Sequence, residues 1–134
     1  MAPTLSVPPL PTVKAKKGSD VTVTLKASLP SGYHANSNKP TEAYLIPLTL
    51  KWTAGPLQVE TITYPKAEME KYSFSDKPIS VVTGEFSIAT KFKVPADAQS
   101  GPAAQTGTLR YQACDNKACY PPKNLPVNVT VSLE

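Results

Sequence analysis

Leu109-Arg110-Tyr111-Gln112-Ala113-Cys114-Asp115-Asn116-Lys117-Ala118-Cys119-Tyr120-Pro121-Pro122 decides how the chain is read. Its first half alternates: Leu109, Tyr111 and Ala113 fall on one face, and Arg110, Gln112 and Cys114 on the other. Side chains alternate across a strand, so this is a strand entering a tight turn, with Cys114 on the more polar face. Both cysteines of the chain lie here, with four residues between them. An immunoglobulin core disulfide joins cysteines far apart in sequence around a tryptophan, and this spacing cannot do that. Closing a loop of about six residues stabilises by only ~2 kcal/mol, against roughly 4 to 5 kcal/mol for about 100 residues. A cross-link of such low structural value on an exposed turn is a candidate for redox chemistry.

Outward from the hairpin, the pattern stays that of strands. Val127, Val129, Val131 and Leu133 point inward on the last strand, with Asn128, Thr130 and Ser132 outward. Val21, Val23, Leu25 and Ala27 alternate with Thr22, Thr24 and Lys26. Ile79 to Val94 reads as one alternating stretch, with Phe86, Ile88, Thr90, Phe92 and Val94 on one side. Leu48, Leu50 and Trp52 share a face and put the lone tryptophan in the core, while Pro47 marks an edge or bulge. Pro65 to Pro78 is a long polar loop in which Ala67 to Lys71 can form a turn of helix. Loops of this length inside compact domains are often functional. Pro95 to Thr106 is a turn-rich connection. Some seven to nine short strands with turns between them imply an all-β fold, an immunoglobulin-like antiparallel β-sandwich. Residues 1–12 are a proline-rich N-terminal arm, and residues 13–134 the domain itself.

The composition narrows the function. Hydrophobic residues make up 40% and charged residues 18% of 134, which describes a globular chain. The net charge of +4 is spread over scattered lysines with no aromatic-interleaved basic stripe, so nucleic acid is not an expected partner. No apolar run approaches the roughly 18 residues of a spanning helix. Met1 to Leu10 has neither a basic start nor a continuous apolar core, so no signal peptide is read there. Two thiolates and the single histidine, His34, leave a zinc site one ligand short, so neither metal nor cofactor is expected. Two readings of the cysteines stay open: an inert staple on a binding or structural module, or a reactive pair. For the second, facing residues of a tight hairpin reach the roughly 5.5 Å between α-carbons that a disulfide prefers. Lys117 and Lys123 add positive charge that favours a thiolate, Asp115 opposes it, and Tyr120-Pro121-Pro122 stiffens the exit.

Tyr111 to Cys114 and Cys119 to Pro122 resemble the active-site hairpin of the N-terminal periplasmic domain of DsbD, the bacterial transmembrane thiol–disulfide interchange protein. Gly32-Tyr33-His34 and Tyr64-Pro65 extend the resemblance, which covers roughly residues 15 to 133. One departure is visible: the family pattern has one more residue between the cysteines. The resemblance implies an immunoglobulin-like periplasmic domain acting as a protein-disulfide reductase, one part of a larger enzyme. It would relay reducing equivalents from a thioredoxin-like partner to periplasmic oxidoreductases, including those of cytochrome c maturation. It also implies catalytic roles for Cys114 and Cys119, with Cys119 forming the bond to the partner. Phe74 falls where the family places the phenylalanine of a cap loop, with Tyr72 beside it, and His34, Asn36 and Tyr120 fall around the pair. A monomer is expected, and the resemblance implies a transmembrane domain in the same native chain.

Overall fold

Eleven strands, in chain order, carry the fold of this computed structural model, which describes residues 4–134. They are β1 (Val13–Ala15), β2 (Asp20–Ser28), β3 (His34–Asn36), β4 (Thr49–Trp52), β5 (Gln58–Thr63), β6 (Glu68–Glu70), β7 (Ile79–Thr83), β8 (Glu85–Lys93), β9 (Gly101–Tyr111), β10 (Ala113–Cys114) and β11 (Lys123–Leu133). They form three sheets, ordered β1-β11-β9-β4, β2-β8-β5 and β10-β3-β7-β6. Every pairing is antiparallel except β1 with β11, where Val13 lies beside Val131.

The first two sheets make the sandwich. Val21, Val23, Leu25, Ile88 and Phe92 from one meet Leu50, Trp52, Leu109, Val127, Val129 and Val131 from the other in a single buried core. The alternation that reads as half-buried strand is what builds it, because each strand turns one face to this core and one to solvent. Trp52 is buried as expected; its indole Nε1 donates to Thr90 Oγ1 at 3.0 Å and its ring meets Phe92 edge-on.

The third sheet is spliced to both others and carries the hairpin. β9 leaves its sheet at Gln112 and continues as β10, which pairs with β3. β7 passes into β8 through Gly84 alone, whose φ of 61° is a left-handed conformation that glycine adopts without strain. Ile79 to Val94 is therefore two strands, not one. β7 is buried on both faces, Ile79 and Val81 toward a second small cluster and Val82 toward the main core, so alternation is lost there.

Three further expectations are corrected. Ala67 to Lys71 holds the edge strand β6, not a turn of helix, because Glu68, Met69 and Glu70 pair with Val81, Ser80 and Ile79. The connection after Val94 ends at Ser100, since β9 begins at Gly101 and pairs with the whole of β11. The proline-rich arm is extended but does not leave the sandwich. Leu5 is buried, its N–H donates to the Tyr111 hydroxyl at 3.1 Å, and Ser6 and Ser28 exchange backbone hydrogen bonds. The first three residues of that arm lie outside the described residues.

Candidate active site

Cys114 and Cys119 are joined as a disulfide, with α-carbons 3.9 Å apart. The two face each other across an antiparallel bridge, flanked by hydrogen bonds from Asp115 N–H to Ala118 carbonyl and from Tyr120 N–H to Ala113 carbonyl. They thus occupy a non-hydrogen-bonded pair, the position where facing α-carbons come closest, which explains a separation shorter than the roughly 5.5 Å expected. The tip is shaped by Asp115, whose Oδ1 accepts from Lys117 N–H and Ala118 N–H, each at 2.8 Å. Those two backbone donors hold its carboxyl below the usual carboxylate range. An aspartate bonding the backbone two residues on is a common turn former, a signal present in Asp115-Asn116.

Cys114 does lie on the face opposite Ala113, but that face is not open. Cys114 is wholly buried at 0% exposure, while Cys119 is partly exposed. The face is covered by the small cluster of Leu45, Ile79 and Val81, against which Cys119, Tyr72 and Phe74 pack. The hairpin is therefore less exposed than an isolated turn, and the two sulfurs differ in access.

The chain brings the other candidate residues to the same place. His34 is the register partner of Cys114. Its ring stacks on Tyr72 with centroids 3.9 Å apart and planes 11° from parallel. Phe74 lies parallel to both, 6.1 Å from His34 and 5.7 Å from Tyr72. The loop that carries these rings is tied to the cysteine hairpin, since Ser73 N–H and its hydroxyl both donate to the Asn116 carbonyl. Asn36 is buried and donates through Nδ2 to Ile46 carbonyl at 3.0 Å and to Gln112 Oε1 at 2.9 Å. Gln112 in turn donates from Nε2 to the Tyr120 carbonyl, so one amide holds β3, the 46 loop and the return strand together. Tyr120 reaches Asp115 with its hydroxyl and sits beside the Tyr33 ring. Sequence reasoning passed over Ser73, Asn116 and Gln112, whose roles depend on partners 8 to 76 residues away.

Burial lowers the His34 pKa from 6.5 to about 4, with the Asp115 carboxylate opposing. Burial also pushes the Tyr72 hydroxyl up, helped by Glu70 and Glu68. His34 is therefore neutral in the folded chain where it would be charged unfolded. The unfolded chain binds the extra proton between pH 6.5 and about 4. Its contribution to stability is complete above that window and is lost as pH falls through it. We expect the urea midpoint to drop between pH 7 and pH 4.5, and to drop less in His34→Phe; equal slopes for the two chains would contradict this.

An immunoglobulin-like sandwich carrying a short hairpin disulfide beneath stacked aromatic rings is the class of molecule that fold and site define. The chain belongs to the family described as "Thiol:disulfide interchange protein DsbD, N-terminal", whose profile matches residues 3–130. The N-terminal periplasmic domain of ScsB from Proteus mirabilis superposes with a TM-score of 0.59 at 16% identity, over 92% of this chain and 43% of that one. The DsbD n-terminal domain of Neisseria meningitidis in the reduced form gives 0.57 at 21% identity, over 87% and 82%. The seventh ScaB type I cohesin from Pseudobacteroides cellulosolvens gives 0.51 at 14% identity, over 97% and 92%. At such identities the likeness carries the fold alone, and this chain spans less than half of the ScsB chain. No curated protein sequence matches this chain.

Proposed function

We propose that this chain is a periplasmic redox relay, the part of a larger protein-disulfide reductase that carries reducing equivalents between thioredoxin-like partners. Family membership supplies the chemistry of thiol–disulfide interchange. The observation that carries the assignment of roles is the unequal burial of the pair, Cys119 partly exposed and Cys114 wholly covered. A donor thiolate attacks Cys119 Sγ, the S–S bond to Cys114 breaks, and Cys114 takes up a proton. The donor's second thiol then displaces Cys119, and the donor closes to its own disulfide. Running the same steps in reverse, the Cys119 thiolate attacks an acceptor disulfide and Cys114 resolves the mixed disulfide. Residues 13–134 form this exchange domain, with Leu5 and Ser6 of the 1–12 arm packed onto it, and it acts as a monomer.

Tyr72 and Phe74 act as the cap, packed beside Cys119 and held by the stack on His34. An aromatic pair contributes roughly 0.5–1.5 kcal/mol, so Phe74→Ala is expected to speed the reaction of the reduced pair with a thiol reagent about two- to twelvefold. An unchanged rate removes the cap without touching the relay. The rival reading is a binding module with an inert staple. The midpoint potential in a glutathione or dithiothreitol series separates them. A value near roughly −230 mV supports exchange, and one well below about −300 mV marks a structural bond and sinks the relay.

A further inference from the structure

The site contains a buried polar atom, on a ring facing Cys114, that the exchange steps above leave unused. His34 is 1% exposed, and its Nε2 is buried without a hydrogen-bond partner. Opposite residues of an antiparallel pair share a face, with β-carbons about 4.5–5.5 Å apart, and His34 faces Cys114 in this way. The ring cannot easily turn toward solvent, because Tyr72 lies flat against it. While the disulfide is closed, the neighbouring sulfur carries no proton to donate and is a weak acceptor. Reduction changes that, since Cys114 then carries either an S–H donor or a thiolate acceptor.

We propose that His34 is a positioning residue that sets the dithiol–disulfide equilibrium, its Nε2 pairing with the Cys114 sulfur only in the reduced chain. This rests on the exchange reading above. In the step concerned, the Cys114–Cys119 bond takes two electrons and two protons from a dithiol, which closes to its own disulfide. The orphan nitrogen gains its partner as the bond opens, so the reduced form is favoured and the couple is made more oxidising. A neutral imidazole serves in either tautomer: one accepts from the thiol, the other donates to the thiolate. The lowered pKa of His34 keeps the ring neutral at pH 7.

The test is the exchange constant of the purified chain against dithiothreitol at pH 7. For His34→Phe, which keeps an aromatic ring for the stack, we expect a shift of about tenfold toward the disulfide, or ~30 mV lower in midpoint. His34→Gln, which restores a polar side chain, should stay within about twofold of the parent. A constant unmoved by His34→Phe, or moved as far by His34→Gln, overturns the proposal. Should the phenylalanine variant fold poorly, the 15N resonance of His34 Nε2 in the parent chain decides. It moves toward hydrogen-bonded values on reduction if the pairing forms, and an unchanged position overturns it. A parent disulfide that dithiothreitol cannot reversibly reduce removes the exchange reading as well. A reversible couple indifferent to His34 removes this inference alone.

Discussion

Cys119→Ser is expected to reduce exchange with a disulfide partner to the uncatalysed background, whereas Cys114→Ser is expected to stall as a mixed disulfide. The asymmetry follows from where the strands place the sulfurs. Cys114 belongs to β10, pinned between Ala113 and the hairpin and paired with β3, and no part of it reaches solvent. Cys119 lies on the return arm and is partly exposed. Thiol exchange requires an in-line approach to the sulfur attacked, so access decides which cysteine meets the partner. In the reduced single-cysteine chains, the thiol of Cys119→Ser is the buried one and should react with a disulfide reagent at least about tenfold more slowly than that of Cys114→Ser. A non-reducing gel after incubation with a thioredoxin-like domain gives the second readout, with the adduct accumulating for Cys114→Ser alone. Equal reagent rates, or an adduct on Cys114, would reverse the roles.

The cysteines were legible because spacing is a property of the sequence itself. What covers them was not. Cys114 reads as belonging to a polar face because Arg110 and Gln112 precede it on that parity, yet β10 leaves the sheet of β9 at Gln112 and enters another. The face it then joins is lined by Leu45, Ile79 and Val81, which arrive from far along the chain. The rings of Tyr72 and Phe74 were placed by resemblance, not by any periodicity. Ser73 and Asn116 meet only through the tertiary fold.

The same division runs through the frame. β2, β8 and β11 alternate cleanly because each has one face on the core and one in water. β7 does not, since the main core and the small cluster bury it from both sides. Ala67-Glu68-Met69-Glu70-Lys71 is made of good helix formers, and pairing with β7 overrides that weak preference. Local signals therefore specified the sandwich, and failed at the one sheet that carries the hairpin and its cover. That sheet is assembled from short strands of two to five residues, whose neighbours supply most of their stability.

Trp52→Ala is expected to cost about 3–5 kcal/mol, the range for deleting a large buried aromatic side chain. Against a total of roughly 5–15 kcal/mol for a domain, that loss leaves much of the chain unfolded at modest urea. Three contacts go at once: the core packing of a ring only 9% exposed, the edge-on meeting with Phe92, and the hydrogen bond from Nε1 to Thr90. The strand opposite cannot close the gap. Gly107 pairs with Trp52 and lies under the ring, where an added Cβ would come within 2.9 Å of it, so no side chain is there to fill the space. Trp52→Phe keeps most of the packing and loses the donor. It leaves the fully buried Thr90 hydroxyl without its partner, for a smaller loss of about 1–3 kcal/mol. Circular dichroism is the measurement, because both variants remove the single tryptophan that fluorescence would follow. If Trp52→Ala unfolded within about 1 kcal/mol of the parent, the β4 edge would not be part of the cooperative core. The sandwich would then rest on the remaining strands of its two sheets, with β9 as the new edge.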